Sequence, residues 1–167
     1  MLSAAQGLAL TRIGFGLYFI SQAWDKTSKN WLTDPAPLTQ FLQRSLPSAE
    51  GFYRSFLEGT VIPNAALFSQ LVTIGEWTAG LLLTFGLLTR LGALTAMWLN
   101  LNYMLMKGLA SSGGSIDRLF ELSCLVFLLA SAGLVWGLDG ALQRTLAGNP
   151  VTAWLAGSRQ RTSAAAA

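Results

Sequence analysis

Residues 67–88 read LFSQLVTIGEWTAGLLLTFGLL, an apolar stretch with a single charge, Glu76. As an α-helix this run is about 33 Å long, enough for a hydrocarbon layer roughly 30 Å thick. Its reading decides the fold, because the same pattern recurs on both sides of it. Residues 8–24 are interrupted only by Arg12 near the start, 91–109 only by Lys107 near the end, and 119–138 only by Glu121 near the start. The spacing therefore predicts an all-α integral membrane protein: a four-helix bundle with spans at about 8–24, 67–88, 91–109 and 119–138.

Composition points the same way. Of 167 residues, 52% are hydrophobic and only 11% charged, against about 25% charged in an ordinary soluble domain. Such a surface would leave large apolar patches facing water. A net charge of +3 offers no basic patch for nucleic acid. The chain has no His, which removes most ligand sets for haem, copper and catalytic zinc, and no metal site is expected. The lone Cys124 excludes an internal disulfide, a CxxC pair and an iron–sulfur site built from this chain alone.

We expect one membrane domain, residues 1–158, followed by a disordered tail at 159–167. Residues 25–64 form the one long connection and hold four of the five prolines. Leu38, Phe41, Leu42 and Leu46 repeat at helical spacing, as do Phe52 with Phe56 and Tyr53 with Leu57. This predicts two short amphipathic helices outside the membrane, either a lid over a site between the spans or a surface-anchored connector. Ser115 and Asp117 suggest a helix start after the loop at 110–115. The first span lacks a basic n-region and a cleavage site and reads as retained. With both termini on one side, Lys and Arg number four on that side and six on the other, which leaves orientation open.

Glu76 is the main candidate for chemistry, since a carboxylate about ten residues into a span must be compensated by a cation, hydrogen bonds, a proton or water. It is either a proton or ligand site or a buried clamp between helices. Arg12 is its expected partner and the second catalytic candidate; the alternative is a side chain that snorkels to the interface. Gly14 and Gly16 beside Arg12, and Gly75, Ala79 and Gly80 beside Glu76, make faces thin enough for close helix packing. Asn100 and Tyr103 share a face and could bond the carbonyls of a quinone, with Trp77 or Trp98 stacking on its ring; helix glue is the plainer use. Trp24, Tyr103 and Trp136 fall near span ends, where amphipathic rings settle. Asp117, Glu121 and Cys124 share one face beside Lys107 and Arg118, consistent with a shallow ion-pair cluster and an inert thiol. Gly133 and Gly137 form a GxxxG step in the last span.

Taken together, Arg12-x-Gly14-x-Gly16 with Lys26, then Glu76-x-x-x-Gly80-x-x-Leu83-x-x-Gly86-x-x-Thr89-Arg90, then Gly137-Leu138-Asp139, resemble the DoxX/DoxD family of small four-helix membrane proteins. The resemblance covers nearly the whole chain, and the Glu-to-Arg stretch is its most specific part. The long connection is similar to the DoxD branch, associated with thiosulfate:quinone oxidoreductase. It implies a multi-pass protein of a bacterial or archaeal cytoplasmic membrane, with cytoplasmic termini. It also implies thiosulfate or another small reductant as electron donor, a non-covalently bound quinone as acceptor, and a partner subunit. The chain has no cysteine pair to carry sulfur, so the partner or the quinone must supply the redox groups. Two rival readings stand beside this one. One is a non-catalytic accessory subunit of a larger respiratory or photosynthetic membrane complex; the other is a proton-coupled small-solute transporter.

Overall fold

The computed structural model describes residues 1–146 and 148–157, with the side chains of 113–115 and 144 outside that description. The tail expected to be disordered, 159–167, lies outside the described residues. The described chain is helical and contains no strand. Four long helices carry it: α1 (Ala4–Ser28), α4 (Ala65–Phe85), α5 (Thr89–Lys107) and α6 (Ser112–Leu129). Between the first two lie the short α2 (Ala36–Ser45) and α3 (Gly51–Phe56), and after α6 come α7 (Leu138–Ala141), α8 (Gln143–Leu146) and α9 (Pro150–Leu155).

Local chemistry sets these boundaries. Ser3 and Gln6 form a reciprocal capping box at the start of α1, the Ser3 hydroxyl accepting from the Gln6 amide at 3.2 Å and the Gln6 side chain accepting from the Ser3 amide at 2.9 Å. Pro35 opens α2, and Gly86 closes α4 in the left-handed conformation at φ 62. The helix α4 is the one described helix long and apolar enough to cross a membrane by length and composition. Its inward stripe is small and polar, with Ser69, Thr73, Glu76 and Gly80 buried, while Leu67, Leu71, Ile74, Leu81 and Phe85 face outward. The exposed face of α6 is likewise apolar, with Ile116, Leu119, Leu122, Val126 and Leu129.

The helices pack in sequence, α1 against α4, α4 against α5 and α5 against α6. Glycine sets the closest approach. A Cβ on Gly80 would stand 2.8 Å from the Ile20 amide nitrogen, and one on Gly16 would overlap the Thr84 backbone. Gly14 meets nothing, so of the expected glycine pair only Gly16 packs. These contacts fix an antiparallel register in which Gly16 lies beside Thr84 and Ile20 beside Gly80.

Two cores result. The first joins the four long helices through Phe19, Ala79, Leu83, Ala93, Cys124 and Phe127. The second lies where α1 has ended. There Trp31, Leu38, Leu42, Tyr53, Leu57 and Met106 seat α2 and α3 against the first half of α4 and the end of α5. The connection thus replaces α1 as the partner of α4 beyond Ser28. Cys124, fully buried among these apolar side chains, has the packing role expected of it.

The last span departs from expectation. The apolar run was expected to stay helical from 119 to 138, but α6 begins at Ser112 and stops at Leu129. Beyond it the chain turns, with positive φ at Ser131 (51) and Trp136 (48). Gly133 and Gly137 do not form a helix–helix step. They let this turn close on the α4–α5 corner: a Cβ on Gly133 would overlap Thr89 and Asp139, and one on Gly137 would lie 3.0 Å from the Gly86 carbonyl oxygen. Ala132 and Gly133 are buried in that corner while Trp136 is half exposed, and periodicity cannot separate such an apolar turn from a continuing helix.

The corner is held by opposite charges at two helix ends. Arg12, fully buried, donates through Nη1 to the Leu83 carbonyl in the last turn of α4 (2.8 Å) and through Nη2 to the Trp136 carbonyl (2.9 Å). Asp139 accepts from the Leu88 amide (2.6 Å), the Thr89 amide (2.9 Å) and the Thr89 hydroxyl (2.7 Å), capping the start of α5 from a distant part of the chain. Burial pushes the Asp139 carboxyl up from the usual carboxylate range, while its bonds to Thr89 and Leu88 and the charge of Arg12 pull it back. Arg90 ties the C-terminal segment on, donating to the Leu128 and Trp154 carbonyls and lying 5.3 Å over the Trp154 ring. Gly86→Ala should lower the unfolding midpoint markedly, because the left-handed conformation costs a non-glycine residue about 1–2 kcal/mol. Its Cβ would also overlap the Arg12 guanidinium. Gly14→Ala, in open space within a helix, should leave the midpoint unchanged or raised. Thermal unfolding of the two variants in detergent checks this.

Candidate functional site

On α1 the buried positions Ala9, Arg12, Gly16, Phe19 and Ala23 alternate steps of three and four. The next step of three reaches Lys26, in the last turn of the helix. In the register above, Lys26 and not Arg12 comes level with Glu76. Lys26 Nζ lies 2.8 Å from Glu76 Oε1, with both side chains nearly withdrawn from solvent. The same carboxylate oxygen accepts from the Tyr103 hydroxyl at 2.8 Å. Arg12 lies fourteen residues earlier on α1, about 21 Å along the axis. It neither pairs with Glu76 nor snorkels; it belongs to the corner.

Glu76, Lys26 and Tyr103 line a cavity of about 350 Å³ bounded by α1, α4, α5 and α6 where α1 ends. Its charges come in opposed pairs: Lys26 with Glu76, Lys29 with Asp25 at 2.7 Å, and Lys107 with Asp117 at 2.9 Å. Lys26 also lies 5.3 Å from the Trp31 ring centre, and Lys107 lies 5.4 Å from that of Tyr103. Tyr103 is thus bound into the chamber wall. The expected pairing within the acidic cluster is found for Asp117, whereas Glu121 stands apart from it.

Among the described residues, three polar atoms of the chamber's wall residues have no hydrogen-bond partner: Glu76 Oε2, Asn100 Nδ2 and Trp31 Nε1. Their residues are 1%, 4% and 8% exposed. A buried polar group left unpaired costs about 1–3 kcal/mol, so a molecule that pairs these atoms recovers that cost. Two donors and one acceptor, in a chamber whose charges come in pairs, suit an uncharged ligand with two acceptor oxygens that, once reduced, has a hydroxyl to donate to Glu76 Oε2.

The expected stacking residues are placed differently. Trp77 lines neither this chamber nor its neighbour; its indole nitrogen donates to the Thr27 hydroxyl at 3.0 Å and its ring meets Trp24 edge-on. Trp98, 67% exposed, lines a second, apolar cavity of about 310 Å³ beneath α2 and α3. The aromatic walls of the charged chamber are Trp31 and Phe41 of the connection, together with Tyr18, Phe19, Tyr103 and Phe120. Asn102, one residue from Tyr103, faces the connection and accepts from the Tyr53 hydroxyl at 2.6 Å. Burial pushes the Tyr53 phenol up to about 12, so that hydroxyl stays a donor at neutral pH.

Sequence reasoning gave Lys26 no role and missed Trp31. The three-four stripe on α1 carries a signal for Lys26. Trp31 had none, because it follows the helix end and its place depends on the connection folding back.

Several of the residues that carry the family resemblance gather at these two places. Lys26 and Glu76 form the chamber, while Arg12, Gly86, Thr89, Gly137 and Asp139 form the corner. Comparison with known proteins matched the chain to the family model described as TQO small subunit DoxD, over residues 8–160. Neither the curated proteins nor the solved structures gave a match. A match over nearly the whole chain settles the family: this protein belongs to DoxD.

Proposed function

We propose that this chain is the membrane-embedded small subunit of a thiosulfate:quinone oxidoreductase-type complex, and that the Glu76 chamber is where a quinone is reduced. The observation that carries the reading is the set of unpaired atoms at Glu76, Asn100 and Trp31, grouped with Lys26 and Tyr103 in one chamber. A quinone headgroup is flat, uncharged and bears two carbonyl oxygens, which matches the two free donors. When bound, it supplies an acceptor for two electrons and two protons. The chain's own part is to hold exchangeable protons on the Lys26 ammonium and the Tyr103 hydroxyl, both joined to Glu76 Oε1. Asn100 Nδ2 and Trp31 Nε1 orient the carbonyls, and the aromatic walls exclude water.

Membrane embedding is supported by the inverted pattern of α4, apolar outward and polar or small inward, and by the apolar outer face of α6, where a water-soluble helix would turn polar residues outward. The four long helices would then be the four spans, with α2 and α3 at the membrane surface. The electron donor, thiosulfate or another small reductant, falls to the partner that a small subunit implies, because one buried cysteine cannot carry sulfur chemistry.

The test is quinone reduction by the purified chain with its co-purifying partner, using thiosulfate as donor. Glu76→Gln should lower kcat at least tenfold, general acid–base groups contributing about 10²–10⁴. Full activity in that variant would remove Glu76 from the reaction and favour the accessory-subunit reading.

A further inference from the structure

The charged chamber and the apolar cavity are neighbours. Trp31, Phe41 and Tyr103 belong to the walls of both. The second cavity is roofed by Leu38, Leu42 and Leu57 of the connection and floored by Val72 of α4 and Thr95 and Leu99 of α5. Its rim is open and greasy: Leu71 and Trp98 are more than half exposed and Phe56 is 39% exposed. The exposed side of α4 at this rim is continuous with the apolar stripe of Leu67, Leu71 and Ile74.

A charged chamber by itself would suit a small water-borne solute, and a greasy groove by itself any hydrocarbon. A polar chamber with unpaired donors, joined through three aromatic rings to a groove that opens sideways, suits one molecule bearing both parts. We infer that the cavity beneath α2 and α3 is a lateral portal and tail groove for a long-chain amphiphile, whose small flat head reaches the aromatic wall at Trp31 and Tyr103. This deepens the reading above, since it makes the quinone a lipid-soluble, long-tailed one that arrives from the bilayer. Trp31 belongs to both walls and its Nε1 is unpaired, so it is the donor offered to the first polar oxygen of the head. Apolar area along the groove holds the chain. The Tyr53–Asn102 hydrogen bond fastens the roof to α5.

The test measures binding without turnover, by quenching of tryptophan fluorescence in detergent-purified protein. The two probes are a benzoquinone with a ten-carbon tail and its tail-less parent. Val72→Phe and, separately, Thr95→Phe narrow the groove from α4 and from α5, so a folding defect in one leaves the other informative. The expected result is that the tailed probe binds the wild type at least tenfold more tightly than either variant, while the tail-less probe binds all three alike. Equal weakening of both probes, or no weakening of either, would overturn the groove. The two proposals fail separately. Tail-selective binding without quinone reduction by the assembled complex removes the oxidoreductase reading and keeps the groove. Quinone reduction with tail-independent binding removes the groove alone.

Discussion

Arg12→Leu is expected to destabilise the protein by about 3–5 kcal/mol, the cost of stripping one partner from a buried, hydrogen-bonded charge cluster. The guanidinium satisfies the Leu83 and Trp136 carbonyls together, and each carbonyl left unpaired in the corner costs about 1–3 kcal/mol. Asp139 would keep its three hydrogen bonds from Leu88 and Thr89 but lose the nearby positive charge. Arg12→Lys should recover only part of the loss, since one ammonium on a shorter reach cannot fork to carbonyls on α4 and on the turn after α6. Thermal or dodecyl sulfate unfolding of the detergent-solubilised protein reads the effect. A wild-type midpoint in Arg12→Leu would mean that the corner is not held this way. Affinity for a tail-less quinone should survive in any Arg12→Lys protein that folds, because the chamber lies about 21 Å away along α1.

The second large effect is at Lys26. Lys26→Met leaves the Glu76 carboxylate buried with only the Tyr103 hydroxyl, and the expected cost is again about 3–5 kcal/mol. Glu76→Gln should also destabilise, because it leaves the ammonium without its counter-charge. The double variant Lys26→Met/Glu76→Gln should be more stable than the sum of the two losses, by a coupling of up to about 3 kcal/mol. Simple additivity would show that the ion pair contributes nothing. The same cycle run between Arg12 and Glu76 should be additive, since the two side chains share no partner.

Much of the architecture was legible in the residues. Three of the expected spans, 8–24, 67–88 and 91–109, overlap α1, α4 and α5; the Ser3 capping box and Gly86 are local signals, whereas α5 starts on a cap supplied by Asp139. The fourth span, expected at 119–138, was misread, because residues 130–138 are as apolar as a span while forming a turn. The turn closes on Gly86 and Thr89, far away in sequence, and no local pattern reports that. Glu76 stood out alone as the costly residue of its helix, and the structure places it in a chamber. Its partner did not stand out, because Arg12 and Lys26 lie on one stripe of α1 and either could have faced it.

By itself, then, the sequence determined an all-helical chain of four long apolar helices, the amphipathic connection between the first two, and the few charges that required an explanation. Tertiary structure alone decided which of those charges meet. The physical reason is register. Two antiparallel helices can slide by whole turns of about 5.4 Å with little change in their apolar contact, and side-chain periodicity is blind to that slide. Close backbone approach at Gly16 and Gly80 removes the freedom, since only one alignment puts both glycines against Thr84 and Ile20. That alignment sends Arg12 to the corner and Lys26 to Glu76, and so separates the residues that hold the fold from those proposed to do its chemistry.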